Sequence, residues 1–283
     1  MIIFFSYIFY FIASSISPLQ RRWLAKTKNT DNTGQIAFAF YSTVITLILS
    51  LGLLLYQPFH VTGDILTVVG ITLICGVFGS LTMVLGYTAQ KHIEAGVTSV
   101  ISNMYTPITI VLATIFLSEK LTTLQIFGTV ILFVGMIVVS KKHRIGKFTF
   151  DKYFLMMLAS GIFLGVLITA ERYLQKTEGF TTGTLLSWWC TGLFLGLITL
   201  FTKNKHTYSK MDITITGSLR FLHNLSWVIL VYVVGNLSYV SAITTFKVVI
   251  MFITGALFLN EREDLPRKII GSIIAVAGLL LMR

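Results

Sequence analysis

The chain has 283 residues, of which 55% are hydrophobic and only 12% are charged. A soluble domain carries about 25% charged residues, so this composition excludes a water-soluble core and predicts an integral membrane protein. A net charge of +11 would suggest nucleic acid binding in a soluble protein, but here the basic residues fall between apolar runs. We therefore interpret them as anchors at the membrane surface and expect no nucleic acid partner.

Ten apolar runs, each close to the length that crosses the hydrocarbon core, predict ten transmembrane helices. Long and solidly apolar runs without alternation favour helices over strands, so the fold class is an all-α polytopic membrane protein. The spans are expected at residues 2–19, 36–57, 65–90, 96–117, 122–140, 153–174, 183–202, 213–234, 237–259 and 266–282. The first run lacks a basic region before it, so we expect it to be retained as a span.

One phrase occurs twice in the chain, about half its length apart. Residues 116–121 read FLSEKL and residues 258–265 read FLNEREDL, and each is followed by two glycines that are seven residues apart. These glycines are Gly128, Gly135, Gly271 and Gly278. Residues seven apart lie on one face of a helix, where glycines allow two helices to approach closely, so we expect a packing role for them.

The doubled phrase divides the chain into two five-span units, residues 1–143 and 144–283. Because five is odd, the second unit enters the membrane from the opposite side, and the two become inverted repeats. Inverted repeats are a recurring plan of secondary transporters, whose substrate site lies near the bilayer midplane between the halves. The sequence therefore predicts ten transmembrane helices arranged as two inverted five-helix repeats around a central site.

The stretch AQKHIEAGVTSVISNMYTPITIVLATIFLSEKL, residues 89–121, resembles EamA-like members of the drug/metabolite transporter superfamily. In that family a helix with a proline in mid-membrane runs into a Leu-x-Glu-Lys/Arg-Leu motif. The ten spans and the second copy of the phrase extend the resemblance to nearly the whole chain, although Val249 stands where the second half would repeat Pro107. The resemblance implies a secondary transporter that exports or exchanges amino acids, drugs or other small metabolites without ATP hydrolysis.

Lys247 is the residue that most strongly indicates a site. It lies about ten residues from either end of the ninth span, where a cation costs about 3 kcal/mol to insert and cannot easily reach the surface. We interpret it as facing a central cavity and binding an anionic or carboxylate group, so the substrate is expected to be anionic or zwitterionic. A structural ion pair or a lysine neutralised by burial is the alternative. The resemblance adds that sugar-phosphate carriers of the superfamily also place a lysine in this helix, against phosphate.

Polar residues on two pseudo-symmetric helices complete the predicted substrate site. They are Ser241, Thr244 and Thr245 on the ninth span, and Ser99, Ser102, Asn103 and Tyr105 on the fourth. For each serine or threonine, a hydrogen bond back to its own helix is the alternative. Pro107 has no N–H to donate to the Asn103 carbonyl, so it should kink the fourth span and free that carbonyl.

Arg220, His223 and Trp227 share one face of the eighth span, because they are three and four residues apart. They could form a gate or an anion-attracting vestibule, while an arginine near a helix end is also typical of an interfacial anchor. Glu171 and Arg172 read as a local pair at the end of the sixth span. No carboxylate is then expected in the middle of a span, so facilitated diffusion or exchange fits better than proton coupling.

The sequence lacks the motifs of other membrane activities. It contains no GxxxxGK[ST], HExxH or GxSxG pattern, and its two cysteines, Cys75 and Cys190, have no neighbouring metal ligand. We therefore expect no ATP drive, no enzyme activity, no metal and no cofactor. A non-transporting scaffold or receptor, or a flippase-like protein for lipid phosphates, remains an alternative.

The expected location is the cell membrane, that is, the cytoplasmic or inner membrane. The expected partners are a small-molecule substrate and the bilayer, and a homodimer is compatible with the plan. Loops on one face hold 16 lysines and arginines and those on the other hold 4. Since positive loops favour the cytoplasm, this count places both termini outside, whereas the resemblance implies both inside, and the orientation stays open.

Overall fold

A computed structural model describes residues 2–28, 31–117, 122–140, 151–202, 208–234, 240, 244, 247–261 and 264–281. Within these ranges the chain forms eleven α-helices and no strand. They are α1 (Ile2–Thr27), α2 (Asn32–Ser50), α3 (Ile65–Gln90), α4 (Ala95–Ser102), α5 (Tyr105–Leu117), α6 (Thr123–Ser140), α7 (Lys152–Glu178), α8 (Phe180–Leu200), α9 (Lys210–Val234), α10 (Lys247–Phe258) and α11 (Leu265–Leu281).

Helices α4 and α5 are the two parts of one broken span, so the eleven helices make ten spans in the predicted order. Seven segments are long and apolar enough to cross a membrane by length and composition, and α6 and α10 are shorter apolar helices. The prediction of an all-α polytopic membrane protein is confirmed. The predicted boundary between the halves falls in residues 141–150, outside the described residues.

Several helices continue beyond the ends that hydropathy predicts, because polar residues at those ends find partners in other parts of the fold. Helix α1 continues to Thr27 rather than residue 19. On the way it buries Arg22, whose Nε donates to Glu261 Oε1 at 2.9 Å. Where helices begin after a loop, a carboxylate often caps them: Asp31 accepts from the Gly34 N–H at 2.7 Å, and this hydrogen bond lowers the pKa of Asp31.

The fourth span breaks completely between Ser102 and Tyr105, which corrects the expected kink. Pro107 lies in the first turn of α5, where a missing N–H breaks no helical hydrogen bond. The Asn103 carbonyl is not free either, because it accepts from the Thr106 N–H at 3.0 Å. The proline therefore starts a new helix, and the turn before it satisfies the backbone.

The helices pack with a two-fold relation between the halves. Helix α3 packs against α7 and α8, and its counterpart α9 packs against α1 and α2, which are the counterparts of α7 and α8. The pairs α2–α8, α4–α10 and α6–α11 each join a helix to its own counterpart. This pattern is the one that two inverted five-helix repeats require, and it places the interface between the halves in the middle of the molecule.

Helices α6 and α11 show the two-fold relation at the level of single atoms. A methyl group on Gly135 would lie 2.5 Å from the Ala275 nitrogen and 2.7 Å from the Gly271 carbonyl. A methyl group on Gly278 would lie 2.6 Å from the Gly128 carbonyl. The contacts run in opposite directions along the two helices, which are therefore antiparallel. The glycines of one helix thus pack against those of the other, Gly135 against Gly271 and Gly278 against Gly128, and their predicted packing role is confirmed.

The largest hydrophobic cluster surrounds this glycine contact. Ile101, Leu132, Met136, Phe252 and Leu279 are all less than 7% exposed within it. Helices α4, α6, α10 and α11 contribute most of its members and form an apolar block. The polar side chains of the candidate site come instead from α1, α2, α5, α7, α8, α9 and the first residue of α10.

Candidate functional site

A cavity of about 140 Å³ lies between the halves, lined by side chains from both of them. Its polar and aromatic lining residues are Tyr10, Thr43, Thr46, Tyr105, Glu171, Ser187, Trp188, Thr191, Arg220, His223, Asn224, Trp227 and Lys247. Five of the predicted site residues are among them: Tyr105, Arg220, His223, Trp227 and Lys247. The fold therefore brings together residues that are more than 140 positions apart in the chain.

Lys247 faces this cavity from the start of α10, with neutral groups around it. Its ammonium lies 3.4 Å from the Tyr10 hydroxyl and 5.6 Å from the centre of the Tyr105 ring, within the range of a cation–π contact. In the part of the chain that the structure describes, no carboxylate lies within 4 Å of it. The described residues therefore give Lys247 no ion-pair partner, and its side chain lines the cavity.

Arg220 is a second cation in the same cavity. Helix α9 starts at Lys210, so Arg220 lies ten residues inside it and is only 6% exposed. Its Nη1 donates to the Thr43 hydroxyl at 2.5 Å. The interpretation of Arg220 as an interfacial anchor is wrong, because the helix begins earlier than hydropathy predicts and carries the guanidinium inward.

Aromatic side chains form one wall of the cavity. The rings of Tyr10 and Trp227 have centres 5.7 Å apart, Tyr10 and His223 also 5.7 Å, and Tyr105 and Trp227 6.1 Å. Sequence reasoning missed Tyr10, since a tyrosine in an aromatic-rich first span resembles any lipid-facing or core residue. The wall supplies an apolar surface with a few polar edges, which suits a small organic solute.

Glu171 places a carboxylate in the cavity, contrary to the sequence expectation. Its Oε1 accepts from Trp188 Nε1 at 3.1 Å and its Oε2 from the Ser187 hydroxyl at 3.3 Å. Helix α7 continues seven residues beyond it, so the expected helix-end pair with Arg172 is wrong. The expectation that no carboxylate lies deep in a span is wrong too, and the argument against proton coupling loses its basis.

The remaining predicted residues of the fourth span do not line the cavity. Asn103 is 1% exposed, and its amide nitrogen has no hydrogen-bond partner among the described residues. The Ser102 hydroxyl donates to the Ser99 carbonyl at 3.1 Å, which is the hydrogen bond back to its own helix that was the alternative for this residue. Helix α7 covers this turn, since a methyl group on Gly161 would lie 3.0 Å from the Ser102 carbonyl. Among the predicted residues of this span, only Tyr105, beyond the break, lines the cavity.

On the ninth span, Thr244 is fully buried and donates its hydroxyl hydrogen to the Val240 carbonyl at 2.8 Å. It packs beside the Tyr10 and Tyr105 hydroxyls rather than lining the cavity. Ser241 and Thr245 lie outside the described residues. The ninth span thus contributes Lys247 to the cavity wall, with Thr244 behind it.

A second, apolar groove of about 690 Å³ lies on the outer side of α2, α3 and α8. Leucines dominate its lining, together with Phe59, Trp189 and Cys190. Leu47 borders both this groove and the central cavity. Leu47 of α2 therefore lies between the two spaces at this point.

Comparisons with known proteins agree with this architecture. The model of the EamA-like transporter family matches residues 1–141 and 151–283. A probable terminal-alkyne amino-acid exporter from Streptantibioticus cattleyicolor is 24% identical over 220 residues, which cover 74% of this chain and 71% of that protein. A crystal structure aligns with 98% of this chain and 99% of its own, at a TM-score of 0.54 and 13% identity, a likeness that shows the fold alone.

Proposed function

Because the chain belongs to the EamA-like transporter family, we propose that it is a secondary transporter of small zwitterionic metabolites of the amino-acid type. One observation carries this proposal: a single cavity between the halves holds two cations, Lys247 and Arg220, and a carboxylate, Glu171. Among the described residues, these groups form no ion pair with one another. A zwitterion supplies the partner that each of them lacks.

The substrate carboxylate binds Lys247 and Arg220, and the substrate ammonium binds Glu171. Charge-assisted hydrogen bonds of this kind are about twice as strong as neutral ones, and a guanidinium can hold both oxygens of a carboxylate. The side chain of the solute packs against Tyr10 and Trp227, whose rings are 5.7 Å apart. Separated charges in a cavity are costly until they are matched, which favours solutes that carry both charges. The amino-acid exporter among the relatives is consistent with this class.

Transport proceeds by alternating access of the two five-helix halves around this cavity, in the cell membrane. The support is the two-fold packing, in which α3 with α7 and α8 is matched by α9 with α1 and α2. Two inverted halves can exchange conformations, and that exchange moves the opening from one face of the membrane to the other.

Uptake of labelled solutes into proteoliposomes tests the proposal. The panel consists of L-amino acids together with the matching amines, which lack the carboxylate, and the matching carboxylic acids, which lack the ammonium. We expect the zwitterions to exchange at least about tenfold faster than either analogue, since each analogue leaves one buried charge unmatched. Protein-free liposomes provide the background. Equal rates for all three classes, or no flux of any, would contradict the proposal.

The apolar groove favours a second candidate, the movement of amphipathic lipid phosphates. In that case an acyl chain would occupy the groove beside Leu47, and the headgroup phosphate would bind Lys247. Proteoliposomes with fluorescent phospholipids separate the candidates. Transbilayer movement of the lipid without amino-acid flux selects the second candidate, and flux without lipid movement selects the first. Absence of both would leave a scaffold or receptor.

A further inference from the structure

Two arginines from different helices lie beside one buried tyrosine next to the central cavity. The Arg21 guanidinium of α1 lies 4.7 Å from the centre of the Tyr87 ring of α3. The Arg220 guanidinium of α9 reaches the same phenol while it donates to Thr43. The Tyr87 hydroxyl in turn lies 3.5 Å from the Ser42 hydroxyl of α2. Four helices from both halves therefore meet at this cluster.

The cluster carries two cations and no anion in the described part of the chain. Tyr87, Arg220, Ser42 and Thr43 are all less than 7% exposed. No described carboxylate lies within 4 Å of either guanidinium, and the Arg21 Nε–H is buried without a hydrogen-bond partner there. Arg220 is buried and Arg21 is partly buried. Cations that are withdrawn from water are costly without an opposite charge, which makes this place suited to an anion from elsewhere.

The position of the cluster along α1 indicates what that anion is. Tyr10 lines the central cavity, and Arg21 lies eleven residues further along the helix, about 16 Å at 1.5 Å per residue. Arg220 belongs to both places, since it lines the cavity and also reaches Tyr87. An anion that leaves Lys247 can therefore keep Arg220 as a partner while it gains Arg21.

We propose that Arg21 and Arg220, with the hydroxyls of Ser42, Thr43 and Tyr87, form a second binding station for the substrate carboxylate. The station lies between the central cavity and the membrane face where α1 ends. It rests on the proposed function, because the carboxylate is that of the transported zwitterion. Arg21 speeds the exit or entry of the solute at this face, whereas Lys247 determines its affinity in the cavity.

Arg21→Met tests the station in the full-length protein, with the best-transported labelled L-amino acid of the panel above and its decarboxylated amine. We expect the maximal flux of the amino acid to fall at least about tenfold, since a charge-assisted contact is lost on the path. Affinity in detergent, measured by quenching of tryptophan fluorescence, should change less than about twofold. Flux of the amine should not change, and Arg21→Lys should restore most of the flux of the amino acid.

Lys176→Met is the matched control, because it removes one positive charge from an exposed position near the end of α7. It should leave flux and affinity unchanged. Should Arg21→Met fail to fold, Arg21→Gln replaces it, since glutamine can keep a hydrogen bond to Tyr87. Wild-type flux in the folded variant, or equal losses for the amino acid and the amine, would overturn the station while leaving the proposed function intact.

A simple carboxylate gives a readout that does not depend on transport. Acetate should raise the melting temperature of the wild type and of Lys247→Met in a concentration-dependent way, because a ligand that binds only the folded protein stabilises it. Arg21→Met added to Lys247→Met should lose this shift, since the cavity lysine is already absent from that background. If acetate stabilises the double variant as much as Lys247→Met, the station is wrong, whether or not the wild type moves amino acids.

Discussion

At the scale of single residues, Lys247 is held by a phenol hydroxyl at 3.4 Å and an aromatic ring at 5.6 Å, both of them neutral. Its removal therefore leaves no described carboxylate unpaired, and the cost to folding is small. The expected cost to function is large, since a charge-assisted hydrogen bond to a substrate contributes about 1.5–3 kcal/mol, roughly 10- to 100-fold in affinity.

We predict that Lys247→Ala abolishes flux of carboxylated solutes while folding and membrane insertion stay intact. Flux is measured in proteoliposomes, and folding by size-exclusion chromatography and melting temperature. Lys176→Ala, at an exposed position, is the control and should behave as the wild type. Wild-type flux in purified Lys247→Ala would exclude the role in substrate binding.

Glu171 gives the complementary prediction for the ammonium side of the cavity. Glu171→Gln keeps the shape of the side chain and an oxygen that can accept from Trp188 Nε1, while it removes a partly buried charge. Because an unmatched anion that is withdrawn from water is costly, the variant should be as stable as the wild type or more stable. Affinity for the L-amino acid should fall at least about tenfold, whereas affinity for the acid without an ammonium should not fall. Equal losses for both solutes would argue against the assigned contact.

Sequence reasoning placed Lys247 inside a span and Glu171 at the end of one, because hydropathy decided both positions. A lone cation in a long apolar run has no surface nearby, so its position away from the ends of the span could be predicted. Glu171 precedes Arg172 and the polar residues YLQKTE, so hydropathy alone ends the span there. The helix in fact continues to Glu178, whose carboxylate accepts from the Thr62 N–H at 2.7 Å on another loop. That partner could not be read from the sequence, and it decides where the span ends.

At the scale of helices, the close contact of α6 with α11 depends on glycine. A methyl group on Gly135 would lie 2.5 Å from backbone that belongs to the other helix, which cannot rotate away as a side chain could. We predict that Gly135→Ala destabilises the protein by about 1–3 kcal/mol, the usual cost of overpacking, and lowers its melting temperature in detergent.

Gly70→Ala is the matched control within a helix. Gly70 lies in α3, and no described atom would lie within 4 Å of its added methyl group. Alanine is the better helix former by about 1 kcal/mol, so this variant should be neutral or stabilised. If Gly135→Ala melts at the same temperature as Gly70→Ala, the contact between α6 and α11 is looser than described.

The sequence predicts that the glycines lie in a helix–helix interface, but not that α6 packs against its own counterpart, α11. The spacing of Gly128 and Gly135 shows that one face of the helix lacks side chains and allows close packing, but it does not show which helix packs there. Pro107 similarly predicted a disturbance of the fourth span. The break, the hydrogen bond from Thr106 to the Asn103 carbonyl and the inward turn of Tyr105 depend on α7 and α10 packed around it.

At the scale of the whole molecule, ion pairs tie the two halves together at the face where α1 ends. Arg22 of α1 contacts Glu261 beyond α10 at 2.9 Å, and Glu261 also accepts from the Ala95 N–H of α4 at 2.8 Å. Lys268 of α11 contacts Glu94 at 2.6 Å. The partners are 239 and 174 residues apart, so only the fold could reveal them. The repeated sequence thus contributes to structure in two ways. Its glycines pack two helices together, and its glutamate Glu261 forms these contacts between the halves.

Two halves that rock against each other must separate at one face when that face opens, and the buried pair Arg22–Glu261 lies across the two halves there. We predict that Glu261→Gln opens this face more often, because one partner of the tie and the cap of α4 are both weakened. Ser42→Cys, within the second station and fully buried in this structure, reports the opening through its modification by a membrane-impermeant maleimide from that side. Its labelling rate should rise at least about threefold in the Glu261→Gln background, equal to about 0.65 kcal/mol of population shift.

Glu261→Asp should keep the labelling rate closer to that of the wild type, since it retains a carboxylate that can accept from both Arg22 and the Ala95 N–H. Asp264→Asn provides the control, because Asp264 pairs with Arg267 at 3.1 Å within one half, and a partly exposed pair of this kind contributes little. Labelling that does not change in Glu261→Gln, or that rises equally in Asp264→Asn, would show that the tie does not hold this face closed. The contacts that close this face would then have to lie elsewhere along the interface between the halves.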